Sequence, residues 1–112
     1  MIEIIAYKPI NSGKKIAAID VFIPKMGIIY RNLYFLHKDG RRWVNFPKFS
    51  IEESGVPHFY AYVEFRHAPH NKEFLNQVHE ALNAYIEKNK ISLPAIDTNL
   101  DLSGHMSNQV PF

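Results

Sequence analysis

Apolar and polar positions alternate poorly at the start of the chain and with a strict period of two from Pro57 to His67, and a spacing of three and four takes over from about Asn71. Residues 2 to 8, rich in Ile and Tyr, read as a strand. Pro9 to Lys14, with Asn11-Ser12-Gly13, is turn chemistry. From Lys15 to Ile23, Ala17, Ile19, Val21 and Ile23 fall on one side, and Ala18, Asp20 and Phe22 on the other. Pro24-Lys25-Met26-Gly27 ends that strand, and residues 28 to 37 form the next. Lys38-Asp39-Gly40-Arg41 is the strongest local signal, because a two-residue type I′ hairpin needs positive φ at both central positions and Asp-Gly supplies them. Residues 41 to 49 then return antiparallel. After a loop at 50 to 56, residues 57 to 67 alternate again, with Phe59, Ala61, Val63 and Phe65 on one side. From Asn71 to Asn89, Phe74, Leu75, Val78, Ala81, Leu82, Tyr85 and Ile86 repeat at helical spacing.

Strands first and a helix last predict an α+β domain. Its antiparallel sheet has four to five strands, with one C-terminal helix packed on one face. The domain spans residues 1 to 91, and residues 92 to 112, without periodicity, are expected to be a flexible tail. A length of 112 residues and 46% hydrophobic content suit one core and exclude a disordered chain. The absence of cysteine removes disulfide scaffolds and thiol chemistry. No apolar run or leader pattern is visible, so a cytoplasmic protein without a membrane partner is expected.

Charge changes the picture more than composition does. Residues 1 to 49 hold nine of the 13 Lys and Arg and three of the 11 Asp and Glu, a net +6, whereas the remainder is −4. A basic front half points to a polyanionic partner. The Asp39-Gly40 turn fixes a register in which 38 opposes 41, 36 opposes 43, 34 opposes 45, 32 opposes 47 and 30 opposes 49. One face then carries Phe35, Val44, Leu33 and Phe46, suited to pack on the helix, with His37 and Arg42 beyond them.

The other face carries Trp43, Tyr34, Tyr30 and Phe49, with Lys38 and Arg41 at its tip. The last strand adds Tyr60, Tyr62 and Arg66 to it. Rings interleaved with cations are what single-stranded nucleic acid needs, because bases stack on the rings while Lys and Arg neutralise phosphates. An interface with another sheet or subunit is the competing use of such a face.

Other candidate chemistry is thin. His67 and His70 straddle Pro69 with no third ligand signalled, Glu52-Glu53 reads as a solvated pair, and no phosphate loop or nucleophile elbow occurs. No enzyme activity, cofactor or metal is expected.

The run Lys15 to Ile23, followed by Gly27 to Asn32, Lys38-Asp39-Gly40 and Trp43-Val44-Asn45-Phe46-Pro47-Lys48, resembles the bacterial septation regulators of the stage V sporulation protein G family, between residues 15 and 86. That resemblance implies a dimeric α+β nucleic-acid-binding protein. Where that family has a basic loop after the Pro, this chain has Lys48 followed by Glu52-Glu53. By architecture the chain is also similar to the positive-cofactor-four fold, a curved sheet with a helix that dimerises and binds single strands. Its ending, Gln109-Val110-Pro111-Phe112, is similar to the tips of bacterial and phage single-stranded DNA-binding proteins.

These readings converge on a single-stranded DNA-binding protein of bacterial or phage type, a homodimer or higher oligomer, active in DNA replication or repair. Tyr30, Tyr34, Trp43, Tyr60 and Tyr62 are expected to stack bases. Lys38, Arg41, Arg42, Lys48 and Arg66 are expected to hold phosphates, and Val110, Pro111 and Phe112 to recruit replication or repair proteins. A duplex-binding transcriptional regulator and a structural adaptor remain the alternatives.

Overall fold

The computed structural model describes residues 1 to 93. Four strands, β1 (Glu3–Ser12), β2 (Lys15–Ile23), β3 (Ile28–Lys38) and β4 (Arg41–Asn45), form an antiparallel sheet in chain order. A separate hairpin follows, of β5 (Lys48–Glu53) and β6 (Val56–Ala61), and then a single helix, α1 (Ala68–Asn89). The fold is α+β with its helix last. No helix among the described residues is long and apolar enough to cross a membrane.

The two tightest turns are set by backbone chirality. Asp39 and Gly40 have φ of +52° and +77°, and Ser54 and Gly55 +52° and +79°, the left-handed pair that a type I′ hairpin demands. The Asp39-Gly40 turn holds the expected register, with Lys38 opposite Arg41, Leu36 opposite Trp43 and Tyr34 opposite Asn45.

β2 is the most buried strand. Its Ala17, Ile19, Val21 and Ile23 join Leu33, Phe35, Val44 and Phe46 beneath Phe74, Val78 and Leu82 of α1. Each of these Val, Leu, Ile and Phe side chains contributes about 1.5 to 3 kcal/mol when fully withdrawn from water. The helix makes its closest backbone approach to the outer strands β1 and β4, so the sheet curls around it. Lys90, in the left-handed region, ends the helix, its N–H on the carbonyl of Glu87 and that of Ile91 on Ile86.

Three departures from the sequence reading matter for the site. First, the strand expected over 41 to 49 stops at Asn45, because Pro47 has no N–H to donate and the Asn45 side chain accepts the amide of Phe46 at 2.9 Å. Pairs 32 with 47 and 30 with 49 therefore do not form. Second, residues 56 to 61 pair with 48 to 53 and not with the main sheet. The chain enters and leaves this hairpin at one place, where the Tyr62 N–H donates to the Pro47 carbonyl at 3.3 Å. Third, a β-bulge in β3 sets both Arg31 and Asn32 against Asp20, between the pairs Ile19 with Leu33 and Val21 with Tyr30. Asn32 takes φ of +62° there, a conformation that Asn tolerates better than most residues. The extra residue reverses the side assignment below it, so Tyr30 lies on the helix side.

Candidate nucleic-acid interface

With the helix covering one side, the other side of the main sheet is left open. β2 contributes Ala18 and Asp20 to it, β3 contributes Tyr34 and Leu36, and β4 contributes Trp43 and Asn45. The Lys15 ammonium sits 4.5 Å above the centroid of the Tyr34 ring, a cation–π contact that places a positive charge directly on an aromatic platform. At the hairpin tip Lys38, Asp39, Arg41 and Trp43 line an open depression of about 430 Å³. Rings and cations thus alternate from Tyr34 to Trp43 across two neighbouring strands.

Because β4 ends at Asn45, β3 has no strand neighbour on that side from Ile28 to Asn32. A groove of about 560 Å³ opens there, lined by residues 28 to 32, Tyr30 among them, and Tyr34 of β3 and by Pro47, Tyr62 and Val63. Tyr62 is 66% exposed, so its ring is presented to solvent at the groove's edge.

Between these features lies a charged node. Asp20, only 4% exposed, accepts the Asn32 N–H at 2.9 Å, and pairs with Lys8 at 3.0 Å and Arg31 at 3.1 Å. Lys8 also donates to the Asn32 side chain. Burial alone would raise the Asp20 pKa, but the Asn32 amide, Lys8 and Arg31 outweigh it and hold the carboxyl below its ordinary value. One anion fixes two cations whose side chains remain 47% and 64% exposed, leaving a net positive point on the open face.

The expected site residues divide by location. Tyr34, Trp43, Lys38 and Arg41 come together on the open face and its tip. Tyr30 is not on that face: half-buried at the groove, its ring packs on Phe46 at 5.6 Å and Phe74 at 6.2 Å, and its hydroxyl donates to the Val63 carbonyl at 2.7 Å. Burial, with the Glu64 carboxylate adding to it, pushes that hydroxyl up to about 12, so it stays a donor.

Arg42 pairs with His37 on the helix side, near Tyr7 and His79. Lys48 and Tyr60 lie on the β5–β6 hairpin, Tyr62 just beyond it, and Arg66 in the link to α1. Val110, Pro111 and Phe112 lie outside the described residues. His67 and His70 meet edge to face, with ring centroids 4.8 Å apart.

Lys8, Lys15 and Arg31 join the face without having been expected there. Lys15 could have been found from its position two residues past Gly13, whereas Lys8 and Arg31 reach the face through bulges that leave little local signal. Comparison of the chain with protein-family models, with curated proteins and with solved structures finds no match.

Proposed function

We propose that this protein binds single-stranded nucleic acid, in the first instance DNA, on the open face of its main sheet. The observation that carries the reading is the alternation of rings and cations there: Lys15 on Tyr34, then Trp43 beside Lys38 and Arg41. Bases stack on exposed rings at about 1 to 3 kcal/mol each with little regard to sequence, and the cations take the phosphates. Duplex DNA keeps its base faces inside the stack, so Trp43 and Tyr34 would contribute little to a duplex complex. Lys8 and Arg31, held by Asp20, would extend the phosphate track toward the groove beside Tyr62.

Fluorescence anisotropy with a labelled oligo-dT strand and with a matched duplex, each titrated across salt, tests this. The expected result is single-strand preference, a steep salt dependence and quenching of Trp43, the one tryptophan. Trp43→Ala should weaken single-strand binding by about 1 to 3 kcal/mol. Equal affinity of a folded Trp43→Ala variant would remove the stacking platform. Tighter duplex binding would turn the reading to a transcriptional regulator.

A further inference from the structure

The β5–β6 hairpin is the part of the molecule least accounted for by its own fold. Two strands alone are marginal in water, yet most of this hairpin is exposed on both faces, including Ile51, Val56 and Phe59, the last 67% exposed. The Tyr30 hydroxyl anchors its base on the β6 side, at Val63. β6 carries Pro57, which lacks a donor and blunts an edge; β5 carries no proline and offers an unprotected one.

The sequence of β5, Lys48-Phe49-Ser50-Ile51-Glu52-Glu53, is complementary to itself when reversed. We propose that two copies of this chain join antiparallel through β5, across a two-fold axis at Ser50, making one four-stranded sheet ordered β6, β5, β5, β6. An axis perpendicular to the sheet preserves its faces and sets one residue opposite its own copy; of the registers that do so, the one centred on Ser50 brings opposite charges together. Lys48 of each copy then opposes Glu52 of the other, and Phe49 opposes Ile51. Among the described residues neither Lys48 nor Glu52 makes an ion pair, whereas Glu53 already accepts from the Tyr60 hydroxyl at 3.3 Å. Within each copy Phe49 lies opposite Tyr60 and Ile51 opposite His58, so the joined sheet gathers Phe49, Ile51 and Tyr60 of both hairpins into one band, while Phe59, opposite Ser50, lies on the other face. Six residues a side make a small interface, so the dimer should dissociate on dilution. The pairing does not depend on nucleic-acid binding, and Lys48 acquires a role in it other than holding phosphate.

Sedimentation equilibrium of the full chain across the micromolar range, without nucleic acid, tests the proposal. The wild type should approach twice its 13.0 kDa mass as concentration rises. Lys48→Glu or Glu52→Lys alone sets like charges opposite each other twice per dimer and should raise the dissociation constant about tenfold. The double variant K48E/E52K should restore it. Ser50→Pro, which removes the central N–H, should also weaken the dimer, with the melting of the main sheet as the folding control. A wild type that stays at 13.0 kDa throughout, or a dimer indifferent to both single charge changes, overturns the proposal. Single variants that dissociate and a double variant that fails to recover overturn the register.

Discussion

At the scale of single residues, two buried ionisable groups tie stability to pH in different windows. His79 on α1 is 4% exposed, its ring edge-on to Phe35 and its Nε2 without a hydrogen-bond partner. Burial, reinforced by the Arg42 charge, lowers its pKa below the usual 6.5. The unfolded chain therefore takes up the proton first as pH falls. The stability that neutral His79 contributes is complete above 6.5, and is lost progressively as pH falls from there through the folded-state value. His79→Leu, which keeps the ring's place apolar, should reduce the drop in melting temperature between neutral and mildly acidic buffer. An unchanged drop would assign the pH dependence to other groups. Asp20 behaves likewise at lower pH, its contribution present above 3.8 and lost as acid protonates the carboxylate. Asp20→Ala leaves the Asn32 amide without its acceptor and should cost about 1.5 to 3 kcal/mol in urea unfolding at neutral pH.

At the scale of elements, the bulge at Arg31-Asn32 is what packs half-buried Tyr30 against the core, and its removal should be costly. Deleting Asn32 returns β3 to strict alternation and turns Tyr30 away from Phe46 and Phe74. The expected loss is about 1 to 3 kcal/mol, the scale of losing a half-buried ring's packing and one hydroxyl hydrogen bond, read from chemical unfolding. The same bulge marks the limit of what alternation reveals. The Asp39-Gly40 hairpin and the helix face of Phe74, Val78 and Leu82 were legible because their signals are local. Period two carried through that bulge sends Tyr30 to the open face, and the bulge's one local trace is an Asn at position 32. The charge of Arg42 suggests phosphate contact, but the hairpin register sets it with His37 on the helix side. Phe59, Ala61, Val63 and Phe65 alternate like a half-buried strand, yet burial needs a partner surface, and Phe59 has none among the described residues. Helix α1 begins at Ala68, three residues ahead of the expected start, with Pro69 in its first turn and the Asn71 side chain accepting the Phe65 amide at 2.7 Å.

At the scale of the whole molecule, the described residues form a curled sheet and helix with a projecting hairpin, extending 47 × 35 × 24 Å. Its radius of gyration, 14.6 Å, exceeds the about 13 Å of a compact chain of 100 residues. The open sheet face and the β5 edge are different surfaces, so strand binding and self-association can be separated by mutation. Because the Tyr62 amide meets the Pro47 carbonyl, the chain comes back to its starting point after the hairpin, and Lys48 faces Ala61 across the base. The segment between that pair is a cassette. Replacing Lys48 to Ala61 by Asn-Gly, which closes a two-residue turn on the existing bond from the Tyr62 N–H to the Pro47 carbonyl, should leave the body folding cooperatively, and a calorimetric melt would show it. A body that fails to melt cooperatively would make the hairpin part of the folding unit. A closed doorway of this kind lets length and sequence vary behind it without disturbing the sheet. The hairpin can thus diverge, be lost, or be replaced by a grafted loop on a timescale set by its own selection, while the core stays under the constraints of packing.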